Sequence, residues 1–147
     1  MFFVFVTRIA GFFPEFAMGS AISKGLCVSV EVFSGQPNPN FYISDTEALG
    51  QLRANLKSLP AFEASEGANH QFSRLGYRGI VIYNDAAVEG IPVFVQFLNG
   101  KVKIIEKAGA PATFYEDTNN LEKYCLGIAK KKGLISDLFE IGVPDPD

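Results

Sequence analysis

The sequence predicts an α+β domain: an antiparallel sheet of four or five strands with two helices packed on one of its faces. Three observations predict this class. Residues 26–33 alternate between two kinds of side chain, as a strand with two different faces does. Asn99-Gly100, the preferred pair for a type I′ hairpin, separates two further strand-like runs. Two other segments, 44–59 and 117–133, carry apolar residues at helical spacing.

The first predicted strand, from Leu26 to Phe33, ends in a stiff polar loop. Its alternation directs one apolar set toward the core: Leu26, Val28, Val30 and Val32. Pro37 and Pro39 lack an N–H group and fix their own φ, so the strand cannot continue through them. Because binding residues often lie on loops held by a rigid scaffold, the candidate contact residues are Ser34, Gln36, Asn38 and Asn40. The alternative is a turn that only packs its prolines on the domain.

A short second strand, Phe41 to Ile43, precedes the first predicted helix. Ser44 is the predicted N-cap, in a capping box with Glu47 three residues later. The helix ends before Pro60 and carries one apolar stripe, formed by Leu49, Leu52, Leu56 and Leu59. Residues 61–75 show no clean period, which predicts a polar loop.

A third strand, Ile80 to Tyr83, leads to a hairpin between residues 93–98 and 101–107. The two-residue turn fixes the register of this hairpin. On one face the opposed residues are apolar, Phe97 with Val102 and Val95 with Ile104. On the other face they are mixed, Leu98 with Lys101 and Gln96 with Lys103. This arrangement is typical of an antiparallel sheet covered on one side.

Pro111 marks a break, after which Asp117 or Asn119 is predicted to cap the second helix. Gly133 supplies its C-terminal stop. The predicted inward stripe of this helix is Leu121, Tyr124, Cys125 and Ile128. The globular domain then spans residues 25–133. Residues 134–147 form an acidic C-terminal tail that either docks as a short turn or stays mobile.

Composition limits the classes of function. The chain has 147 residues, of which 48% are hydrophobic and 20% charged, as in one globular domain. A formal net charge of −3 argues against a duplex nucleic-acid binder, which needs a basic face. Cys27 and Cys125 have no CxxC spacing and are predicted to be free thiols. His70 is the only histidine, which excludes a histidine-rich metal site, and no motif predicts a cofactor.

Residues 1–24 form an apolar leader rich in phenylalanine. It does not match a secretory signal, because Arg8 follows its apolar run instead of preceding it. The run is also shorter than a membrane span of about 20 apolar residues. The expected compartment is therefore the cytoplasm. Residues 15–20 read EFAMGS, which looks like translated cloning sites.

Gly19 offers a second interpretation of this leader. If translation starts at Met18, residues 18–23 match the M-G-x-x-x-[ST] myristoylation pattern, with Gly19 as the acceptor. A single acyl chain holds a membrane weakly, and residues 130–132, all lysine, could supply the second signal. The alternative for these lysines is the preference of a helix C-terminus for cations. A membrane partner is expected only if Gly19 is acylated.

A second candidate contact is Tyr77-Arg78, which lies between Gly76 and Gly79. An aromatic ring and a guanidinium flanked by flexible residues are typical of interaction hot spots. The alternative is a bulge, or a close backbone approach that requires glycine.

Two stretches, Val30 to Pro39 and Leu75 to Gly79, resemble the paired signatures VEVFSGRPNP and LGYRG of a family of small uncharacterised proteins from bacteria and fungi. The resemblance covers about residues 26–133. Gln36 stands where the family pattern has Arg, which removes a charge from the loop. The resemblance implies that the two motifs belong to one site or one structural joint. It implies no activity and no catalytic residue.

The leading functional hypothesis is a small, non-catalytic binding or interaction domain. Its contact surface would combine the Ser34 to Asn40 loop with Tyr77 and Arg78, and its partner would be a protein or a small molecule. A second hypothesis is a self-assembling structural protein, a homo-oligomer in which the Phe-rich leader adds to a neighbour's sheet edge. A third is a small hydrolase-like enzyme in which His70 transfers protons.

Overall fold

A computed structural model describes residues 25–61 and 76–147 of the chain. The leader 1–24 and most of the predicted polar loop lie outside these described residues. The strands are β1 (Leu26–Val30), β2 (Asn40–Ile43), β3 (Ile80–Tyr83), β4 (Phe94–Leu98), β5 (Lys101–Ile105) and β6 (Thr113–Glu116). The helices are α1 (Thr46–Lys57), α2 (Leu121–Lys131) and a short 3-10 helix (Ser136–Ile141).

The described strands form one antiparallel sheet in the order β2-β1-β3-β4-β5-β6. The α+β class is confirmed, but the predicted number of four or five strands was wrong, since the sheet has six. The missing strand is β6, a four-residue strand at the edge of the sheet. Its pairing with β5 defines it, and the Lys101 Nζ lies 2.8 Å from the Glu116 carboxylate across this pair.

The hairpin of β4 and β5 has the predicted register. Phe97 lies opposite Val102, Val95 opposite Ile104, Gln96 opposite Lys103 and Leu98 opposite Lys101. Asn99 has a φ of 52° and Gly100 a φ of 83°. Two successive positive φ values are what a type I′ turn requires, so the local turn chemistry sets the pairing.

The first face of the sheet carries the core. Two rows of apolar side chains cross four strands on this face, and no member is more than 3% exposed. The rows are Val28, Ile82, Val95 and Ile104, and then Val30, Ile80, Phe97 and Val102. The alternation predicted for β1 is confirmed, because its apolar set and Val32 are buried.

Each helix lies against strands of the sheet. Helix α2 packs against β3 and β4. Leu56 of α1 lines a cavity together with Ile104 and Tyr115, which the register places on the same face. The predicted leucine stripe of α1 is largely buried, with Leu49 at its half-buried margin.

The inward stripe of α2 differs in part from the prediction. Leu121 and Cys125 are buried as predicted, but Tyr124 is 43% exposed. Leu126 and Ala129 are buried in its place. Tyr124 was wrongly assigned because the buried face of α2 centres on Cys125 and Ala129, and Tyr124 lies to one side of that line.

Aspartate carboxylates accept from N–H groups at the start of both helices, although the N-cap residue of α2 is Asn120. The N-cap of α1 is Asp45, whose carboxylate accepts from the Ala48 N–H at 2.9 Å, so the prediction of Ser44 was wrong by one residue. For α2 the carboxylate of Asp117 accepts from the N–H groups of Leu121 and Glu122, at 2.7 and 3.0 Å. Asp and Ser side chains can both accept from the free N–H groups at a helix start. Residue type alone therefore does not show whether Ser44 or Asp45 is the N-cap.

The C-terminal tail docks on the domain. Helix α2 ends at Lys131, and Gly133 follows its C-cap with a φ of 74°. The Leu134 N–H donates to the Ala129 carbonyl. The 3-10 helix follows, with Ile135 at 0% and Val143 at 2% exposure on either side of it. Of the two alternatives for residues 134–147, docking is the one observed.

Candidate functional site

The two motifs of the sequence meet at the end of β1 and the start of β3. The Arg78 N–H donates to the Glu31 carbonyl at 2.7 Å, and the Glu31 N–H donates to the Gly79 carbonyl at 3.0 Å. Arg78 and Gly79 thus lie opposite the single residue Glu31, and this two-to-one pairing is a β-bulge. The structural alternative for Tyr77-Arg78 is therefore the arrangement observed.

Gly79 is required at this bulge. It has a φ of 94°, and a Cβ placed there would lie 1.9 Å from the Phe97 carbonyl oxygen. A side chain would meet both an unfavourable backbone conformation and the backbone of the neighbouring strand. The bulge directs its first residue, Arg78, toward the loop that follows β1.

The guanidinium of Arg78 spans the two motifs. Its Nη2 donates to the Phe33 carbonyl at 2.9 Å and its Nη1 to the Gly76 carbonyl at 3.1 Å. Nη2 also lies 3.8 Å from the Glu31 carboxylate, and both side chains are at most 20% exposed. Since the guanidinium donates to a carbonyl of each motif, Arg78 holds the base of the loop.

Asn38 holds the loop from inside. Its Oδ1 accepts from the N–H groups of Val32 and Phe33, at 2.9 and 2.7 Å. Its own carbonyl accepts from the Asn40 side chain at 3.1 Å, and the Pro39 carbonyl accepts from the Val30 N–H. One side chain thus supplies the partners of two N–H groups that the broken strand leaves unpaired.

A polar network supports this joint from the second face of the sheet. The Ser29 hydroxyl donates to the Glu31 carboxylate at 2.5 Å, and the Gln96 amide donates to the Arg78 carbonyl at 2.7 Å. Ser29 and Gln96 are each 6% exposed. Neither residue was among the predicted site residues, although a polar side chain within a predicted strand was a usable signal for both.

The tip of the loop, residues 34–37, is exposed. Within the described parts of the chain, the Ser34 hydroxyl and the Gln36 amide make no hydrogen bond. Of the predicted contact residues, Ser34 and Gln36 therefore present free polar groups. Asn40 is exposed but bonded within the loop, and Asn38 is used to build it.

Tyr77 does not lie at this surface. Its side chain is 3% exposed, and its hydroxyl donates to the Glu122 carboxylate of α2 at 2.5 Å. The other oxygen of Glu122 accepts from the Asn99 N–H at 2.9 Å. Tyr77 thus joins the start of β3 to α2 and to the hairpin turn, and its ring is not available to a partner.

The cysteines are free thiols, as predicted. Burial raises the pKa of Cys125 to about 12, with smaller contributions from Asp117 and Glu122. Burial also raises the pKa of Cys27, against a hydrogen bond with Tyr42 that lowers it. Because the thiolate is the reactive form, neither thiol is an activated nucleophile.

Two of the three lysines at the end of α2, Lys130 and Lys132, have local partners. Lys130 Nζ lies 2.8 Å from Asp145 and 2.6 Å from Asp147. Lys132 Nζ lies 5.9 Å from the centre of the Phe41 ring. Gly19 and His70 lie outside the described residues. Among those described, no group of acidic, His and Cys side chains could hold a metal ion, and no helix is long and apolar enough to cross a membrane.

Comparison with known proteins adds no relative. No protein-family model matches the chain, and no curated protein or solved structure matches it either.

Proposed function

We propose that the protein is a small, non-catalytic binding domain whose contact surface is the exposed loop tip at Ser34–Pro37. The observation that supports this proposal is the contrast between the two parts of the loop. Its base is held by Asn38 and Arg78 through several hydrogen bonds. Its tip keeps the Ser34 hydroxyl and the Gln36 amide free for a partner.

A loop held in this way favours binding for a physical reason. A flexible loop loses conformational entropy when a partner orders it, and this loss opposes binding. The Asn38 and Arg78 contacts order the loop during folding, before any partner arrives. A hydroxyl and a carboxamide provide both donors and acceptors, which suits a neutral polar ligand or an exposed peptide backbone.

The test is a fragment screen with the full chain labelled with ¹⁵N. Neutral polar fragments are expected to shift the amide resonances of residues 34–37 more than those of the helices. A Ser34→Ala, Gln36→Ala double variant is expected to weaken these fragments about tenfold, because two hydrogen bonds of roughly 0.5–1.5 kcal/mol each are lost.

Gln51→Ala is the matched control, since Gln51 is an exposed carboxamide on α1, away from the loop. It is expected to leave fragment binding unchanged. The proposal is contradicted if no fragment shifts the loop, or if the fragments bind the double variant as tightly as they bind the original protein.

A further inference from the structure

A row of apolar and aromatic side chains crosses the second face of the sheet, at the end away from the loop. Its members lie opposite one another, one on each of five adjacent strands. They are Tyr42, Cys27, Tyr83, Phe94 and Ile105, here called the aromatic row. Because neighbouring strands are about 4.8 Å apart, the row is about 19 Å long.

The aromatic row is accessible, in contrast to the rows of the first face. Tyr42 is 46% exposed, and the other four side chains are partly exposed. The Tyr83 and Phe94 rings meet edge to face, with centroids 5.9 Å apart and an interplanar angle of 74°. In an edge-to-face pair only one of the two rings uses its face in the contact, and the negative face of an aromatic ring attracts cations.

Charges of both signs lie beside the row. Burial raises the pKa of Tyr83 most, and Glu31 and Cys27 raise it further. Arg78 lowers this pKa, and Asp85 raises it by less than Arg78 lowers it. Glu31 is already paired with Arg78. Asp85 follows Tyr83 by two residues, is exposed, and makes no ion pair within the described ranges.

One positive group limits the site. Lys103 lies on the same face of β5, two positions from Ile105 in the sequence, and is partly exposed. A cation on the row would therefore avoid the β5 side. The Tyr83 and Phe94 rings near Asp85 are the favourable position, because aromatic faces and an unpaired carboxylate occur together there.

We propose that the aromatic row is a docking surface for a basic peptide segment, with an arginine or lysine side chain over the Tyr83 and Phe94 rings beside Asp85. The apolar neighbours of that basic residue pack along the row on Cys27 and Ile105. Charge complementarity at Asp85 selects this partner, since an acidic segment would meet the Asp85 carboxylate with the same sign of charge.

The probes are two short peptides, acetyl-Leu-Arg-Leu-amide and acetyl-Leu-Glu-Leu-amide, titrated into the ¹⁵N-labelled full chain. The arginine peptide is expected to shift the amide resonances of Cys27, Tyr83 and Phe94, with a Kd on the order of millimolar for such an exposed site. The glutamate peptide is expected to cause no such shifts. Equal shifts with both peptides, or none with either up to about 10 mM, would overturn the proposal.

Two variants separate the ring from the charge. Tyr83→Leu keeps an apolar side chain without the aromatic face, and Asp85→Asn keeps the shape without the charge. Each is expected to weaken the arginine peptide about threefold to fivefold, and salt is expected to weaken it in the original protein but less in Asp85→Asn. Tyr124→Leu, at an exposed tyrosine on α2, is the control and is expected to change nothing.

If Tyr83→Leu disturbs the fold, the affinity of the Asp85→Asn variant for the arginine peptide tests the proposal by itself, since Asp85 lies in an exposed turn. Unchanged affinity and unchanged salt dependence in Asp85→Asn would refute the docking surface. The Ser34→Ala, Gln36→Ala variant is expected to bind the arginine peptide normally. Failure of the loop proposal and failure of this one are therefore distinguishable.

Discussion

Asn38 decides the conformation of the loop because one oxygen atom serves two backbone groups. The Val32 and Phe33 N–H groups would otherwise be partly buried without a partner. An unsatisfied buried donor is costly, whereas a satisfied one contributes modestly. The proline on each side of Asn38 restricts the backbone, and the side chain supplies the acceptor that the restricted backbone cannot.

We therefore expect Asn38→Ala to lower the free energy of unfolding by about 1–3 kcal/mol, since two donors lose their acceptor. Asn38→Asp keeps an acceptor and is expected to lose less. Asn40→Ala, at an exposed site in the same loop, is expected to change stability by no more than about 0.5 kcal/mol. Urea unfolding measures all three, and equal losses for Asn38→Ala and Asn40→Ala would contradict this role.

Gly79 provides a second test at the residue scale. Gly79→Ala is expected to cost about 2–4 kcal/mol, from the positive φ together with the close approach to the Phe97 carbonyl. Gly100→Ala is the matched control, because Gly100 also has a positive φ but has no atom within 4 Å of the added Cβ. Its expected cost comes only from the strained backbone conformation and is about 1–2 kcal/mol.

Thermal or urea unfolding of both glycine variants provides the comparison. If Gly79→Ala costs no more than Gly100→Ala, the contact between the bulge and β4 does not constrain this position.

At the scale of elements, local chemistry and long-range packing act together at α2. Its first-turn N–H groups are satisfied by Asp117, which lies at the end of β6, and its last turn is closed by Gly133. Asp117 was predictable because an acidic residue before an apolar helical pattern is a common cap. The preceding strand was not predictable, because only pairing with β5 defines it.

Asp117→Ala is expected to destabilise the protein by about 1–2 kcal/mol, because α2 loses the acceptor for two N–H groups. Asp117→Asn keeps a side-chain oxygen and is expected to lose about half as much or less, through the weaker interaction with the helix dipole. Chemical denaturation gives both values. An Asn variant as unstable as the Ala variant would indicate that the charge of Asp117, rather than its hydrogen bonds, stabilises the helix start.

At the scale of the whole molecule, the C-terminal residues complete the core instead of trailing from it. Ile135 is buried fully, while Ile141, six residues later, is 53% exposed. Ile135→Ala is expected to cost about 2–5 kcal/mol, and Ile141→Ala less than about 0.5 kcal/mol. Calorimetry or urea unfolding distinguishes these values, and similar small costs for both would mean that the tail is peripheral.

The tail also gives a pH prediction. The hydrogen bond from Lys130 lowers the pKa of Asp145 below its usual 3.8, helped by the Asp147 backbone N–H. A depressed pKa in the folded state means that the contact stabilises the docked tail above pH 3.8 and is lost as the pH falls through the folded value. A ¹³C NMR titration of the carboxyl group measures this pKa directly.

Lys130→Gln is the control for that titration and is expected to return the Asp145 pKa toward its usual value. If Asp145 titrates identically with and without the Lys130 charge, the ion pair does not form in solution.

Features that depend on a few neighbouring residues can be predicted from the amino-acid sequence alone. Asn99-Gly100 determined the hairpin register, and the alternation of β1 determined which side chains enter the core. These are local properties, set by allowed backbone angles and by side-chain periodicity. Each involves interactions within a strand or across a two-residue turn.

Contacts between segments that are distant in the sequence depend on how the elements pack in three dimensions. The Arg78 donation to the Phe33 carbonyl and the Tyr77 donation to Glu122 each span 45 residues. No local pattern shows whether a tyrosine in a Gly-flanked segment faces solvent or a helix that follows much later in the chain. The sequence singled out both motifs, but their meeting, the burial of Tyr77 and the free loop tip depend on packing between elements, which sequence spacing does not specify.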